Sequence, residues 1–254
     1  MIKLIVCDID GTLLGKDENS IKPEIAKQLD RLSKSGKTIA FASGRSYYGM
    51  RKIASSLSCA DDIYYICNDG ALCIYRGKTL YHKQISIENI LRFSRNPDYE
   101  NLPIMYFSDT YSYVTGTTPQ FIDKLESEGI DTLDPISGVY DIKNPIYKIG
   151  IYGLDGKDPD PLLPAPFDMR ICYRSNKWLE YTSRFANKGL AVSDLQMRLY
   201  MSKFDTAAFG DGDNDVEMFS KAKYTYARRG GSEALCRCAC EQFDDIAYIF
   251  ENID

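Results

Sequence analysis

Hydrophobic positions fall into short blocks along this chain, and their spacing changes twice. From Ile2 to Cys7 the residues are mostly apolar and β-branched, and the run stops at an Asp-Gly turn. That is the pattern of a strand buried on both faces, delivering Asp8 at its carboxyl end. Pro23 then opens a segment in which Ile25, Leu29 and Leu32 recur at helical spacing, and Gly36 closes it. Thr38 to Ala42 reads as a second buried strand, Ser46 to Leu57 as a helix, and Ile63 to Cys67 as a third strand ending at Asn68-Asp69-Gly70. Strand and helix alternate, which predicts a parallel sheet with right-handed crossovers.

From about Tyr81 the texture changes. Short tyrosine-rich strands are predicted at Ile104 to Ser108, Tyr111 to Thr115, Tyr147 to Tyr152, Met169 to Tyr173 and Trp178 to Thr182, separated by helices and turns. Asp158 to Pro166 holds four prolines in nine residues and reads as a loop. After Phe185 the first pattern returns, with a helix from Lys188 to Tyr200 and a strand from Asp205 to Phe209. The prediction is an α/β fold: a doubly wound, Rossmann-like core from residues 1–80 and 185–254, interrupted by an α+β insertion over 81–184.

Composition narrows the chemistry. With 254 residues, 44% hydrophobic and 26% charged, the chain can bury a substantial core. Lys+Arg 31 against Asp+Glu 36 leaves a net charge of -5, which argues against a nucleic-acid partner. The single histidine, His82, excludes multi-histidine metal sites and most Ser–His or Cys–His mechanisms, and reads as a linker residue. Cys236, Cys238 and Cys240 are spaced too tightly for a zinc half-site. The first apolar run is too short for a signal peptide, and no run approaches the ~18 residues of a membrane span. The expectation is a cytoplasmic protein with no membrane partner.

Two acidic clusters remain, each directly after a predicted strand. In Asp8-Ile9-Asp10-Gly11-Thr12 a period of two would point both carboxylates into the crevice at the sheet's carboxyl edge. Acids so close together call for a divalent cation or a shared proton. Gly210-Asp211-Gly212-Asp213-Asn214-Asp215 is not an EF-hand loop: counted from Asp211, the sixth and twelfth positions hold Val216 and Ala222. Hard oxygen ligands at two strand ends suit Mg2+. Ser43 and Gly44 follow a buried strand and precede a helix, an arrangement that can bind an anion. Lys188, at a helix start, opposes the helix dipole and attracts a compensating anion.

These four pieces, in this order at strand ends, resemble the haloacid dehalogenase superfamily. The large insertion between the serine and lysine motifs is similar to that of its Cof-type branch of capped sugar-phosphate phosphatases. The resemblance implies Asp8 as a nucleophile that forms an aspartyl-phosphate and Asp10 as general acid/base. It implies Mg2+ held by Asp8, the Asp10 backbone carbonyl and Asp211, with Asp215 as a ligand or close neighbour. Ser43, Gly44, Lys188 and Asn214 would hold the transferring phosphoryl group, and the insertion would form a mobile cap. The substrate would be a small phosphorylated metabolite. A phosphomutase would use the same aspartyl-phosphate, and a receiver-type signalling module would also phosphorylate an aspartate; Asp10 speaks against the second. Where the family usually has a Met-Gly-Asn-Ala-like turn, this chain reads Ala227-Arg228-Arg229-Gly230-Gly231-Ser232, and the two arginines read as a solvated pair.

Overall fold

In a computed structural model, the described residues are 1–15, 18–99, 102–109, 112–127, 133–153, 168–175 and 177–253. In chain order the first elements are β1 (Leu4–Cys7), α1 (Pro23–Lys34), β2 (Thr38–Ala42), α2 (Tyr47–Ala54), β3 (Tyr64–Cys67), β4 (Leu72–Tyr75) and β5 (Lys78–His82). There follow α3 (Ile87–Ser94), β6 (Ile104–Phe107), β7 (Ser112–Thr115), α4 (Pro119–Ser127), β8 (Leu133–Pro135), β9 (Lys148–Tyr152), β10 (Met169–Arg174) and β11 (Trp178–Ser183). The chain ends with α5 (Lys188–Arg198), β12 (Thr206–Gly210), α6 (Val216–Phe219), β13 (Tyr224–Arg228), α7 (Glu233–Cys238), β14 (Glu241–Phe243) and α8 (Ile246–Glu251). Two compact units result. One comprises Met1–Arg45, Met50–Tyr81 and Asn187–Asp254, the other Ser46–Gly49 and His82–Ala186.

The first unit is an eight-stranded sheet in the order β14-β13-β12-β1-β2-β3-β4-β5. Pairing is parallel from β14 through β3, with Leu4 opposite both Thr206 and Thr38. The sheet is not wholly parallel as expected: β4 runs antiparallel to β3. Arg76 and Gly77, both at positive φ, join β4 to β5 in the two-residue turn that suits the twist of a hairpin. An apolar run too short to carry a period hid this edge from the sequence.

One face of the sheet packs Leu4, Val6, Ala40 and Ala208 against Ala191, Val192 and Leu195 of α5, Met218 of α6 and Leu235 of α7. On the other face α1 packs against α8. Phe209 meets Phe250 edge-on at 5.0 Å, and the Arg31 guanidinium donates to the Phe250 carbonyl at 2.6 Å. Helices cover both faces, so the central strands read as continuous apolar runs.

The second unit is a six-stranded sheet in the order β10-β11-β9-β6-β7-β8, antiparallel except between β7 and β8. Alternation divides its side chains cleanly. Ile104, Tyr106, Ile149, Ile151, Leu179 and Tyr181 pack with Ile90 and Phe93 of α3. Met105, Phe107 and Val114 face the other way, with Leu125 of α4. The expected proline-rich loop at 158–166 lies outside the described residues.

Gly189 tests the packing of α5. A Cβ there would sit 2.4 Å from the Glu217 carbonyl oxygen, which is backbone and cannot swing away. Replacing a helical glycine by alanine ordinarily stabilises by about 1 kcal/mol. Here the steric clash wins, and Gly189→Ala is expected to lower stability by about 1–3 kcal/mol in urea unfolding.

Candidate active site

β1 lies between β12 and β2, so the carboxyl ends of three neighbouring parallel strands release Asp8, Asp211 and Ser43 at one edge of the sheet. The chain order reverses about β1, which is where α/β sheets open a crevice. The Asp8 N–H still donates to Phe209 O at 2.9 Å, and the Ser43 N–H to Ile66 O at 2.9 Å. These backbones are therefore fixed by the sheet itself.

At the centre is Lys188, the first residue of α5, whose start is capped by the Asn187 side chain accepting from the Leu190 N–H at 2.7 Å. The Lys188 ammonium is 1% exposed. It donates to Asp8 Oδ1 at 2.6 Å and to Asp215 Oδ1 at 2.7 Å. The other Asp215 oxygen accepts the N–H groups of Asp211 and Gly212, both at 3.1 Å. Burial by itself would lower the lysine's affinity for its proton, but the charges of Asp215, Asp8 and Asp69 outweigh it and hold the ammonium above its ordinary value. Burial pushes the Asp8 carboxyl up; Lys188 opposes this, while Asp215 and Asp211 add to it.

Asp211 is drawn into the same cluster. Thr12 Oγ1 donates to its carboxylate at 3.3 Å. Gly11, at φ +86°, lies so close that an added Cβ would meet Asp211 Oδ2 at 2.1 Å. The turn after β13 supports it from behind: the Ser232 N–H donates to Asp211 O at 2.7 Å. Of the two arginines there, Arg229 pairs with Asp244 at the surface, as a solvated residue should. Arg228 is half-buried and reaches the Thr12 carbonyl at 3.5 Å.

Oxygen atoms of Asp8, Asp211 and Asp215 lie within 4.8 Å of one another. Asp8 Oδ2 is buried and has no hydrogen-bond partner among the described residues. Three carboxylates face one ammonium, so the site carries an excess of negative charge on hard oxygen donors, which fits a divalent ion such as Mg2+.

Asp10 stands apart from this trio. β1 ends at Cys7, so a strand period of two does not extend through Asp8 to Asp10. Asp10 lies in a turn, bridged to Leu14, and its carboxylate is held by Arg45 through Nε at 2.8 Å and Nη2 at 2.7 Å. Ser43 Oγ accepts the Arg45 N–H at 3.2 Å and is 3.5 Å from Asp10 Oδ2. It caps no helix: α2 starts four residues later, where Ser46 Oγ accepts the Gly49 N–H. Gly44 packs against the Asp69 carboxylate, and Asn214 donates to Asp69 Oδ1 at 3.2 Å.

The first unit thus brings together all eight expected residues. Sequence reasoning passed over Thr12, Arg45 and Asp69. Thr12 stood in the first acidic motif and Arg45 in the Ser43-Gly44-Arg45 triplet. Asp69 ends the third parallel strand, and the rule that parallel strands open their crevice at their carboxyl ends would have found it.

A family model of haloacid dehalogenase-like hydrolases matches residues 5–245. The chain belongs to the haloacid dehalogenase-like hydrolase family. Among curated relatives, an HMP-PP phosphatase of Yersinia pseudotuberculosis is 28% identical over 229 residues, covering 87% of this chain and 81% of that protein. A haloacid dehalogenase-like hydrolase from Bacteroides thetaiotaomicron superposes with a TM-score of 0.86 at 21% identity, covering 100% of both chains. A HAD subclass IIB sugar phosphatase superposes with a TM-score of 0.82 at 18% identity, covering 98% of each. The structural likenesses establish the shared fold, and with it the α/β class with a parallel-sheet core read from the sequence.

Lys188 should be indispensable to the folded site. Lys188→Met leaves Asp8 and Asp215 buried without their partner and is expected to cost about 3–5 kcal/mol at pH 7. In that variant the buried Asp8 carboxyl binds its proton more tightly in the folded chain than in the unfolded one. Stability is therefore regained as pH falls through the raised folded pKa of Asp8 toward its unfolded value. Urea titrations of both proteins at pH 7 and pH 5 should show the difference shrinking at the lower pH.

Proposed function

We propose that this family hydrolase, a phosphatase, removes the phosphoryl group from a small phosphorylated metabolite through an aspartyl-phosphate on Asp8, with Mg2+ as its cofactor. The observation that carries the reading is the Lys188 bridge. It holds one Asp8 oxygen at 2.6 Å and leaves the other buried and unpartnered, ready to serve a cation or an electrophilic phosphorus.

Asp8 attacks phosphorus as a carboxylate, an Asp8 O–P bond forms, and the ester P–O bond breaks. Asp10 gives its proton to the departing alkoxide. It then takes a proton from water, whose oxygen displaces Asp8 and releases inorganic phosphate. In the resting arrangement Arg45 grips both Asp10 oxygens, so Asp10 must turn from Arg45 to reach the departing alkoxide. Ser43, the Gly44 backbone, Lys188 and Asn214 bind the phosphoryl oxygens. Asp8, the Asp10 carbonyl, Asp211 and Asp215 would hold Mg2+, which supplies positive charge where the phosphoryl group gathers negative charge. Phosphate monoesters hydrolyse so slowly unaided that these groups together must lower the barrier by about 20 kcal/mol or more.

Substrate selection is assigned to the inserted unit. The motif resemblance favours a sugar phosphate. The relatives' name favours HMP-PP, which belongs in the same screen of phosphorylated metabolites. Phosphate release from a single such compound separates a phosphatase from a mutase.

Removal of metal by EDTA should abolish turnover and added Mg2+ should restore it; full activity in metal-free protein would refute the cofactor assignment. Asp8→Asn should reduce phosphate release to background. Asp10→Asn should reduce kcat by about 100- to 10,000-fold, the range for a lost general acid/base. A wild-type rate in Asp10→Asn would remove Asp10 from the mechanism.

A further inference from the structure

The turn Asn68-Asp69-Gly70 holds three consecutive residues at positive φ, 50°, 56° and 85°, a run found nowhere else among the described residues. Asparagine and aspartate tolerate this region better than other side chains, but glycine would occupy it without strain. The turn keeps a further unfavourable group: the Asn68 amide is buried, and neither its nitrogen nor its oxygen finds a partner among the described residues. Asp69, 4% exposed, adds a buried carboxylate to a site already rich in acids. None of this favours stability, and such turns persist where function requires them.

The contacts of the turn show what it serves. The Asn68 N–H donates to Arg45 O at 3.0 Å and the Asp69 N–H to Ser43 O at 3.1 Å. A Cβ on Gly44 would come 3.1 Å from Asp69 Oδ2, and one on Gly70 would meet the Asn187 carbonyl at 2.2 Å and the Lys188 nitrogen at 2.6 Å. Asp69 Oδ1 accepts from Asn214 Nδ2 at 3.2 Å, while Asn214 Oδ1 turns back to its own loop, 2.8 Å from where a Gly212 Cβ would be. A primary amide has two N–H bonds. Asp69 takes one, and the other remains for a second acceptor. All three segments assigned to the phosphoryl group, Ser43-Gly44, Lys188 and Asn214, therefore meet this one turn.

We propose that Asp69 is a positioning residue of the phosphoryl site, its carboxylate orienting the Asn214 amide toward the phosphoryl oxygens. The proposal rests on the reading of Asn214 as a phosphate-binding residue. Asp69 touches no reacting atom and acts through Asn214.

The test compares inhibition by inorganic phosphate, and kcat and KM for p-nitrophenyl phosphate, in Asp69→Gly, Asp69→Asn, Asn214→Ala and the Asp69→Gly/Asn214→Ala double variant. Asp69→Gly relieves the backbone strain while deleting the carboxylate, so its melting temperature should hold or rise. Its phosphate inhibition should weaken about tenfold, the value of one hydrogen bond to a charged group, with KM rising more than kcat falls. Asp69→Asn keeps an acceptor oxygen and should recover most of the loss. Asn214→Ala should match Asp69→Gly, and the double variant should be no worse than either. Asp69→Ser, too short to reach Asn214, takes the place of Asp69→Gly if the latter does not fold. Unchanged phosphate inhibition in Asp69→Gly beside a loss in Asn214→Ala would overturn this proposal alone. Additive losses in the double variant would do the same. No loss in Asn214→Ala would overturn the phosphate-site reading of Asn214 and the role of Asp69 with it.

Discussion

The ammonium of Lys188, buried between Asp8 and Asp215, is the interaction around which the core is arranged. A lysine in the dry interior is unfavourable unless charge meets it, and two carboxylates at hydrogen-bond distance do so. The same contact brings together three segments far apart in sequence: the end of β1, the start of α5 and the loop after β12. Each oxygen has its own task. One Asp215 oxygen bonds the ammonium and the other bonds the backbone of its own loop. One Asp8 oxygen bonds the ammonium and the other stays free.

Glycines make this crowding possible. Gly11, Gly210 and Gly231 lie where a Cβ would collide with Asp211 or Asp215. At Gly11 the positive φ imposes the same choice independently. The acids can therefore approach to within 4.8 Å because the backbone beside them has no side chains. A site crowded with like charge is electrostatically unstable alone, and a bound cation would relieve it.

Much of this was legible in the chain itself. Apolar runs of four or five residues marked the central strands, and Pro23 and Gly36 marked α1, because buried strands and capped helices follow local rules. The acids at strand ends were equally visible. Asp10 reaches the site by a turn and not by a strand period of two, because the backbone has already turned after Cys7. Arg45 and Asp69 went unnoticed for a related reason. Their roles come from pairing with Asp10 and Asn214, partners 35 and 145 residues away, and no periodicity reports such a contact. The β4–β5 edge was lost because its alternation is short and its turn residues, Arg76 and Gly77, lack the usual Asn-Gly signature.

The central claim is that Asp8 itself bonds the phosphorus. It is tested most directly by quenching the Mg2+-loaded enzyme in acid within milliseconds of mixing it with a 32P-labelled phosphomonoester, then mapping the labelled peptide. The account predicts one phosphoryl group per chain at early times, labile to hydroxylamine as an acyl phosphate must be, on the peptide containing Asp8. Label on any other residue, or turnover with no protein-bound phosphate at any time, would contradict it.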